Sequence, residues 1–234
     1  VGSDGLSGIT ANPTIGRFSD MMGQRGGSTV LTEVPEMFGA EGFLMDRCIN
    51  KEVFVKAEHM INGFKDYFIS HNEVVYDNPS PGNKAGGITT LEEKSLGCIH
   101  KGGHSTINAV YDYGKQVEAK QGLVIMDTPG NDPASVAAMV AGGAQVVVFS
   151  SGRGSPVGSP IVPVVKITGN KLTFGTLEDS IDFCAAPLMY GERTVGELGG
   201  DLLNMVVETA CGKQTKAESL GFTEMAIARV CNYV

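Results

Sequence analysis

The sequence predicts an α/β fold in which helices cover both faces of a largely parallel sheet. In the second half, short unbroken apolar runs at 122–128, 145–151 and 161–167 alternate with helical patterns. Strands that are apolar on both faces belong to parallel sheets lying between helices. The stretch from Lys51 to Ser70 has the spacing of one long amphipathic helix. The length of 234 residues, 42% of them hydrophobic, allows one large domain of this kind, and the whole chain 1–234 reads as that single domain. The expected fold is therefore Rossmann-like, and such sheets bind ligands beyond the carboxyl ends of their strands.

Each element follows from local pattern. Ala11, Ile15, Phe18 and Met22 recur at helical spacing, Pro13 suits a first turn and Gly26-Gly27 closes the segment, so 12–25 is expected to be a helix. Residues 28–34 (STVLTEV) follow as a short buried strand leading into Glu33 and Glu36. In the long helix, Val53, Ala57, Met60, Ile61, Phe64 and Phe68 share one face. Residues 77–87 (DNPSPGNKAGG) read as a Pro/Gly/Asn loop. Thr89-Thr90-Leu91-Glu92 has a capping-box pattern that starts a helix to about Lys101, with Glu92 as the capping carboxylate. Strand 122–128, a helix 132–141 capped by Asp132, strands 145–151 and 161–167, and a helix 194–210 complete the chain. Three loops leave strand ends in this reading: Glu33–Glu36, Asp127–Asp132 and Gly152–Gly158.

Composition narrows the function classes. Cys48, Cys98, Cys184, Cys211 and Cys231 are scattered with no CxxC pair, so reduced, mostly buried thiols are expected rather than a disulfide framework or a zinc or iron–sulfur knot. A net charge of -8 without a long basic run argues against a nucleic-acid groove or an anionic membrane surface. No window approaches the roughly 20 apolar residues of a membrane helix, and the amino end lacks the order of a secretory signal, which makes a cytoplasmic protein the expectation. The abrupt opening at Val1-Gly2-Ser3-Asp4-Gly5 is expected to continue upstream in the natural polypeptide. The 32 glycines fall mainly in pairs and loops, which suits backbone passing close to a ligand.

Several side-chain groups can carry chemistry. Glu33-Val34-Pro35-Glu36 sets two carboxylates at a strand end with Pro35 fixing the turn, a geometry for a divalent cation or a general base. The plain alternative is that one is solvated and the other is paired with a lysine or arginine. In Asn78-Pro79-Ser80-Pro81-Gly82-Asn83-Lys84 two prolines stiffen a turn that presents Asn83 and Lys84, suited to holding a carboxylate or phosphate, against the reading of an ordinary surface turn. Glu93 and Lys94 lie in the following helix as weaker candidates. Gly152-Arg153-Gly154 after a buried strand lets Arg153 approach a ligand and grip a carboxylate bidentately. It is no dinucleotide fingerprint, because Pro156 and another strand follow instead of a helix. His100 and His104 are separated by Gly102-Gly103, which breaks the helix that would align them, so both are expected in solvent. His59 and His71 are expected to be structural or exposed.

The succession of Gly2 to Pro13, Glu33 to Glu36, Asn78 to Lys84, Glu93-Lys94 and Gly152-Arg153-Gly154 closely resembles the altronate/galactarate dehydratase family, specifically its C-terminal domain, from one end of the chain to the other. The resemblance implies a hydro-lyase of sugar-acid catabolism that removes water from a hexonate or hexarate to give a 2-keto-3-deoxy acid. It implies assistance from a divalent metal such as iron, manganese or magnesium, and a separate N-terminal domain or small subunit that contributes histidines to the active site. On this reading Glu33 and Glu36 are the metal-ligand or base candidates, Lys84 and Lys94 further catalytic candidates, and Asp4, Asn83, Lys84 and Arg153 the candidates for binding the substrate. Homo-oligomers are compatible with it. A sister group, sulfolactate sulfo-lyase, expels sulfite instead; a non-catalytic anion-binding or oligomerisation domain is the alternative of another class.

Overall fold

A computed structural model describes residues 4–228; Gly2, Ser3 and Cys231 lie outside them. Helices α1 (Gly5–Ile9) and α2 (Ala11–Gln24) lead into strand β1 (Ser28–Leu31), a 3-10 turn at Val34–Met37 and helix α3 (Glu41–Met45). Helices α4 (Lys51–Ser70), α5 (Pro81–Ala85) and α6 (Leu91–Ile99) follow, with a 3-10 turn at His100–Gly102. Then come β2 (Ile107–Tyr111), β3 (Gly122–Met126), α7 (Asp132–Ala141), β4 (Val147–Ser150) and β5 (Val164–Thr168). The chain continues through α8 (Lys171–Thr176), β6 (Phe183–Cys184), a 3-10 turn at Ala186–Leu188, α9 (Val195–Ala210) and α10 (Lys216–Ser219).

All strand pairs are parallel, as expected, but they form two three-stranded sheets ordered β1-β3-β2 and β4-β5-β6. Val30 aligns with Val124 in the first sheet and Phe149 with Lys166 in the second. Helices lie on both faces of the second sheet. Val147, Phe149 and Val164 pack with Val136 of α7, while Val165 and Ile167 turn the other way onto Ile15 and Phe18 of α2 and Leu198 and Leu202 of α9. The period-two alternation of a strand thus supplies both cores from one apolar run. In the first sheet Leu31, Ile107, Leu123 and Ile125 pack against Leu44, Val53 and Ile99 of α3, α4 and α6. Phe38, Ile61 and Phe68 form a neighbouring cluster, with Phe64 and Phe68 edge-on or tilted to Phe38 and each other.

Helix α2 packs so closely on the 100–103 turn that a Cβ at Gly16 would lie 2.1 Å from the His100 carbonyl oxygen. Its boundaries, and those of α4 and α7, agree with the periodicity. Other expectations need correction. The 77–87 loop contains α5, because Ser80 and Asn83 form a reciprocal capping box around Pro81. At the start of α6, Thr90 caps through the Glu93 amide and Glu93, not Glu92, reaches back to Thr89. Asn131, not Asp132, caps α7 by accepting from the Ala134 amide, which frees Asp132 from a capping role. Strand β2 was not expected at all. Of the thiols, Cys98 is buried, Cys48 and Cys184 are half-buried and Cys211 is exposed, so the cysteines are less buried than composition implied.

Candidate functional site

Glu33 sits just beyond the carboxyl end of β1 in left-handed backbone, φ 67° and ψ 65°, a conformation that costs a non-glycine residue about 1 kcal/mol or more. What holds it is Thr128, two residues beyond the end of adjacent β3: its Oγ1 accepts from the Glu33 amide at 2.7 Å and its carbonyl from the Val34 amide at 3.0 Å. Pro35 is the second residue of the 3-10 turn that carries Glu36 inward. Both carboxylates are buried, at 4% and 6% exposure, which settles the alternative that one of them is solvated.

Helix α6 and the 3-10 turn that follows it supply the opposite charges. Lys94, Cys98 and Lys101 are spaced i, i+4 and i+7, so they share a face that looks at the Glu33–Glu36 turn. Lys94 Nζ lies 2.8 Å from Glu36 Oε1 and also donates to Asn78 Oδ1 at 2.7 Å and Asn83 Oδ1 at 2.9 Å. Those three acceptors match the three protons of an ammonium. The Cys98 thiol donates to Glu36 Oε2 at 3.2 Å, and Asn78 Nδ2 reaches Glu36 Oε1 at 3.4 Å. Burial opposes the charge on Glu36, yet the Lys94 ammonium prevails and holds its carboxyl below the ordinary range.

Lys101 Nζ is 3.6 Å from Glu33 Oε2, with 12% of its side chain exposed. Burial works against its charge too, but Cys98, Glu33 and Glu36 around it push its pKa above the ordinary lysine value. Asp132 responds in the opposite sense: burial, and then the carboxylates of Glu33 and Glu36, push it up and favour its protonated form. A hydroxyl chain ties these strand ends together, with Ser135 Oγ 3.2 Å from Thr128 Oγ1 and 3.0 Å from Thr32 Oγ1. The result is a buried Lys94–Glu36 pair and a largely buried Lys101–Glu33 pair beside a carboxyl group whose pKa burial raises, at the place where a sheet of this class binds ligands.

The other expected residues are distributed around this centre. Asn83 is buried in it, but its Oδ1 is engaged by Lys94 and by Ser80, so it positions the lysine. Asp4 is buried nearby as the cap of α1, accepting from the Ser7 amide at 2.8 Å, and packs so tightly under Gly152 that a Cβ there would be 2.4 Å from the Asp4 Cγ. Lys84 and Arg153 are exposed; Arg153 Nη1 would be 3.2 Å from a Cβ on Gly82, which places the guanidinium over the α5 turn. His59, His100 and His104 are exposed and His71 stacks on Tyr67, none of them in the site. Sequence reasoning passed over Lys101, Cys98, Asn78 and Asp132. The i, i+4, i+7 stripe was legible for the first two, whereas Asp132 was set aside by the capping role assigned to it.

Among the described residues no three of His, Cys, Asp and Glu come together as metal ligands. Glu33 and Glu36 each face a lysine, so the donor set present does not fit a divalent cation without ligands from elsewhere. No helix among the described residues is long and apolar enough to cross a membrane.

A family model described as D-galactarate/altronate dehydratase, C-terminal, matches residues 1–232. The chain is 50% identical over 226 residues to an altronate dehydratase of Escherichia coli, covering 97% of this chain and 45% of that protein. It is 36% identical over 213 residues to a galactarate dehydratase (L-threo-forming) of Escherichia coli, covering 91% and 40% respectively. It is also 33% identical over 231 residues to the beta subunit of (2R)-sulfolactate sulfo-lyase from Chromohalobacter salexigens, covering 97% and 59%. The chain thus spans about half the length of the curated relatives it matches.

Proposed function

From the premise that the chain belongs to the D-galactarate/altronate dehydratase family as its C-terminal domain, we propose that it supplies one half of a sugar-acid dehydratase site. The reaction is loss of water from an altronate- or galactarate-type acid to a 2-keto-3-deoxy acid in the cytoplasm. A domain or subunit corresponding to the rest of the full-length relatives supplies the other half. The buried set Glu33–Lys101 and Glu36–Lys94 is the observation that supports this reading.

Elimination next to a carboxylate removes an α-proton of low acidity, so a base, a cation for the developing enediolate and an acid for the departing hydroxyl are all needed. Glu33 takes the α-proton. The Lys101 ammonium beside it balances the charge that builds on the substrate carboxylate. Asp132, made a weaker acid by burial, gives a proton to the hydroxyl as the C–O bond breaks, water leaves, and the enol tautomerises to the ketone. Lys94, occupied by three acceptors, keeps Glu36 ionised and fixed. Exposed Arg153 and Lys84 meet the acid at the rim. A divalent iron, manganese or magnesium ion, if used, would supply Lewis-acid stabilisation of the carboxylate, and its ligands would have to come in large part from outside this chain.

The test is keto-acid formation from a panel of aldonates and aldarates, with Mn²⁺ or Fe²⁺, by this chain alone and combined with the remaining portion of a relative. Turnover only in the combined sample is expected. Release of sulfite from sulfolactate would instead favour the sulfo-lyase reading, to which the beta-subunit likeness over 97% of this chain lends weight. Binding of sugar acids without turnover in the combined sample would leave an anion-binding domain.

A further inference from the structure

The inner edges of the two sheets face one cavity. Strand β1 pairs with β3 and β4 with β5, and among the described residues no backbone hydrogen bond joins β1 to β4. Between them lies a cavity of about 710 Å³ lined by residues 28–33 on one side and 145–150 on the other. Val136 and Met139 of α7 close it on one face, and Phe18 of α2 and Val206 of α9 on the other. It ends beside Glu33, Lys101 and Asp132.

A strand edge presents N–H and C=O groups at regular intervals, and a row of them enclosed between two helical layers, half-buried in β1 and mostly buried in β4, calls for a matching row. The only chemistry that answers two such rows at once, about 5 Å to either side, is another extended backbone. We propose that this slot receives an extended peptide strand from the portion of the full-length protein that the curated relatives possess outside the match. The order would then run β2-β3-β1-new strand-β4-β5-β6 as one sheet. Because β1 and β4 are four residues long and helices cover both faces, the inserted segment is a short run apolar on both sides. Its length along the slot delivers its end to Glu33 and Asp132, so the strand fastens the missing portion and places its next residues at the candidate site. The inference stands on the two strand edges and the cavity and does not depend on the reaction proposed above.

Hydrogen–deuterium exchange tests it. The unmatched portion of the Escherichia coli altronate dehydratase is joined ahead of this chain in one polypeptide, and the amides of Val30 and Val148 are followed, because strand alternation turns them to the slot while Val147 N–H already donates to Pro163. Exchange there is expected to be fast in the chain alone and at least about tenfold slower in the fusion. Unchanged exchange in the fusion overturns the proposal. So does full protection in the chain alone, which would mean that its own residues fill the slot. If the fusion does not fold, overlapping synthetic peptides tiling the same portion are added to the chain instead, and protection by none of them overturns it equally. A Thr29→Cys/Val148→Cys variant of the chain alone gives an independent readout. Edges one strand apart are beyond disulfide reach, which ends near 7 Å between Cα atoms; ready disulfide formation would show that β1 and β4 close on each other and would also overturn the proposal.

Discussion

Lys94 and Glu36 meet at 2.8 Å with only 4% and 8% of their side chains exposed, and Asn78, Asn83 and Cys98 are arranged around that pair. The asymmetry of buried ion pairs decides what substitution does: losing one partner strands a desolvated charge, whereas losing both can be nearly neutral. Lys94→Met is expected to cost about 3–5 kcal/mol, and Lys94→Met with Glu36→Leu to recover most of it. Urea denaturation of the three proteins checks this; a double variant as unstable as the single one would show that the loss lies in packing.

The same pair sets an acid limit. The Glu36 pKa is depressed on folding below the ordinary 4.5, so the stability it contributes is fully present above about 4.5 and disappears as pH falls through the lower folded value. Glu36→Gln should therefore have a shallower decline of melting temperature between about pH 5 and 3 than the parent chain. Parallel profiles would remove Glu36 as a source of acid lability.

Asp127 gives the reverse dependence. Burial, and then neighbouring Asp112, push it from 3.8 to about 6. A carboxyl group whose folded pKa is raised favours the folded state while protonated, so its effect turns unfavourable as pH climbs from 3.8 through about 6. Asp127→Asn is expected to gain stability relative to the parent above about pH 6 and little below pH 4. Thermal melts at pH 4 and 7.5 distinguish this from a uniform change.

Close approach of α2 to the 100–103 turn makes Gly16→Ala costly despite the gain in helix propensity. A methyl group 2.1 Å from a backbone carbonyl forces the helix outward, at about 1–3 kcal/mol. Gly8→Ala, within α1 and with nothing within 4 Å of the added carbon, is the control and should stabilise by up to about 1 kcal/mol.

In the combined enzyme, the exposed and buried cations should separate kinetically. Arg153→Ala is expected to raise KM about tenfold with little change in kcat, as for a contact made equally in ground and transition states. Lys101→Met should lower kcat by about a hundredfold or more. An unchanged KM for Arg153→Ala across aldonates and aldarates would take that residue out of substrate binding.

Much of the architecture was legible because period and capping are local. The helices around Ile15, Ala57 and Val136 and the parallel strands of the second half follow from spacing alone, and Glu33 and Glu36 stand out from their setting, whereas Lys94 ranks there only as a weaker candidate. What escaped depended on distant neighbours. Strand β2 is half-exposed along most of its length and only its pairing to β3 identifies it. Asn83 reads as a substrate grip in sequence, and its contact with Lys94 eleven residues later is visible only in three dimensions. The division of the sheet into halves has no sequence signal either, since β1 and β4 are each ordinary apolar strands.

Glu36 is fastened to α6 through Lys94 and Cys98 and to the α5 approach through Asn78, all within the buried interior. Fitness at these positions therefore has two inseparable sources. In a saturation screen that scores cellular abundance and growth on a sugar acid side by side, substitutions at Lys94 and Glu36 should fail both. Those at Arg153 should be abundant and slow, marking where chemistry can be retuned without rebuilding the protein.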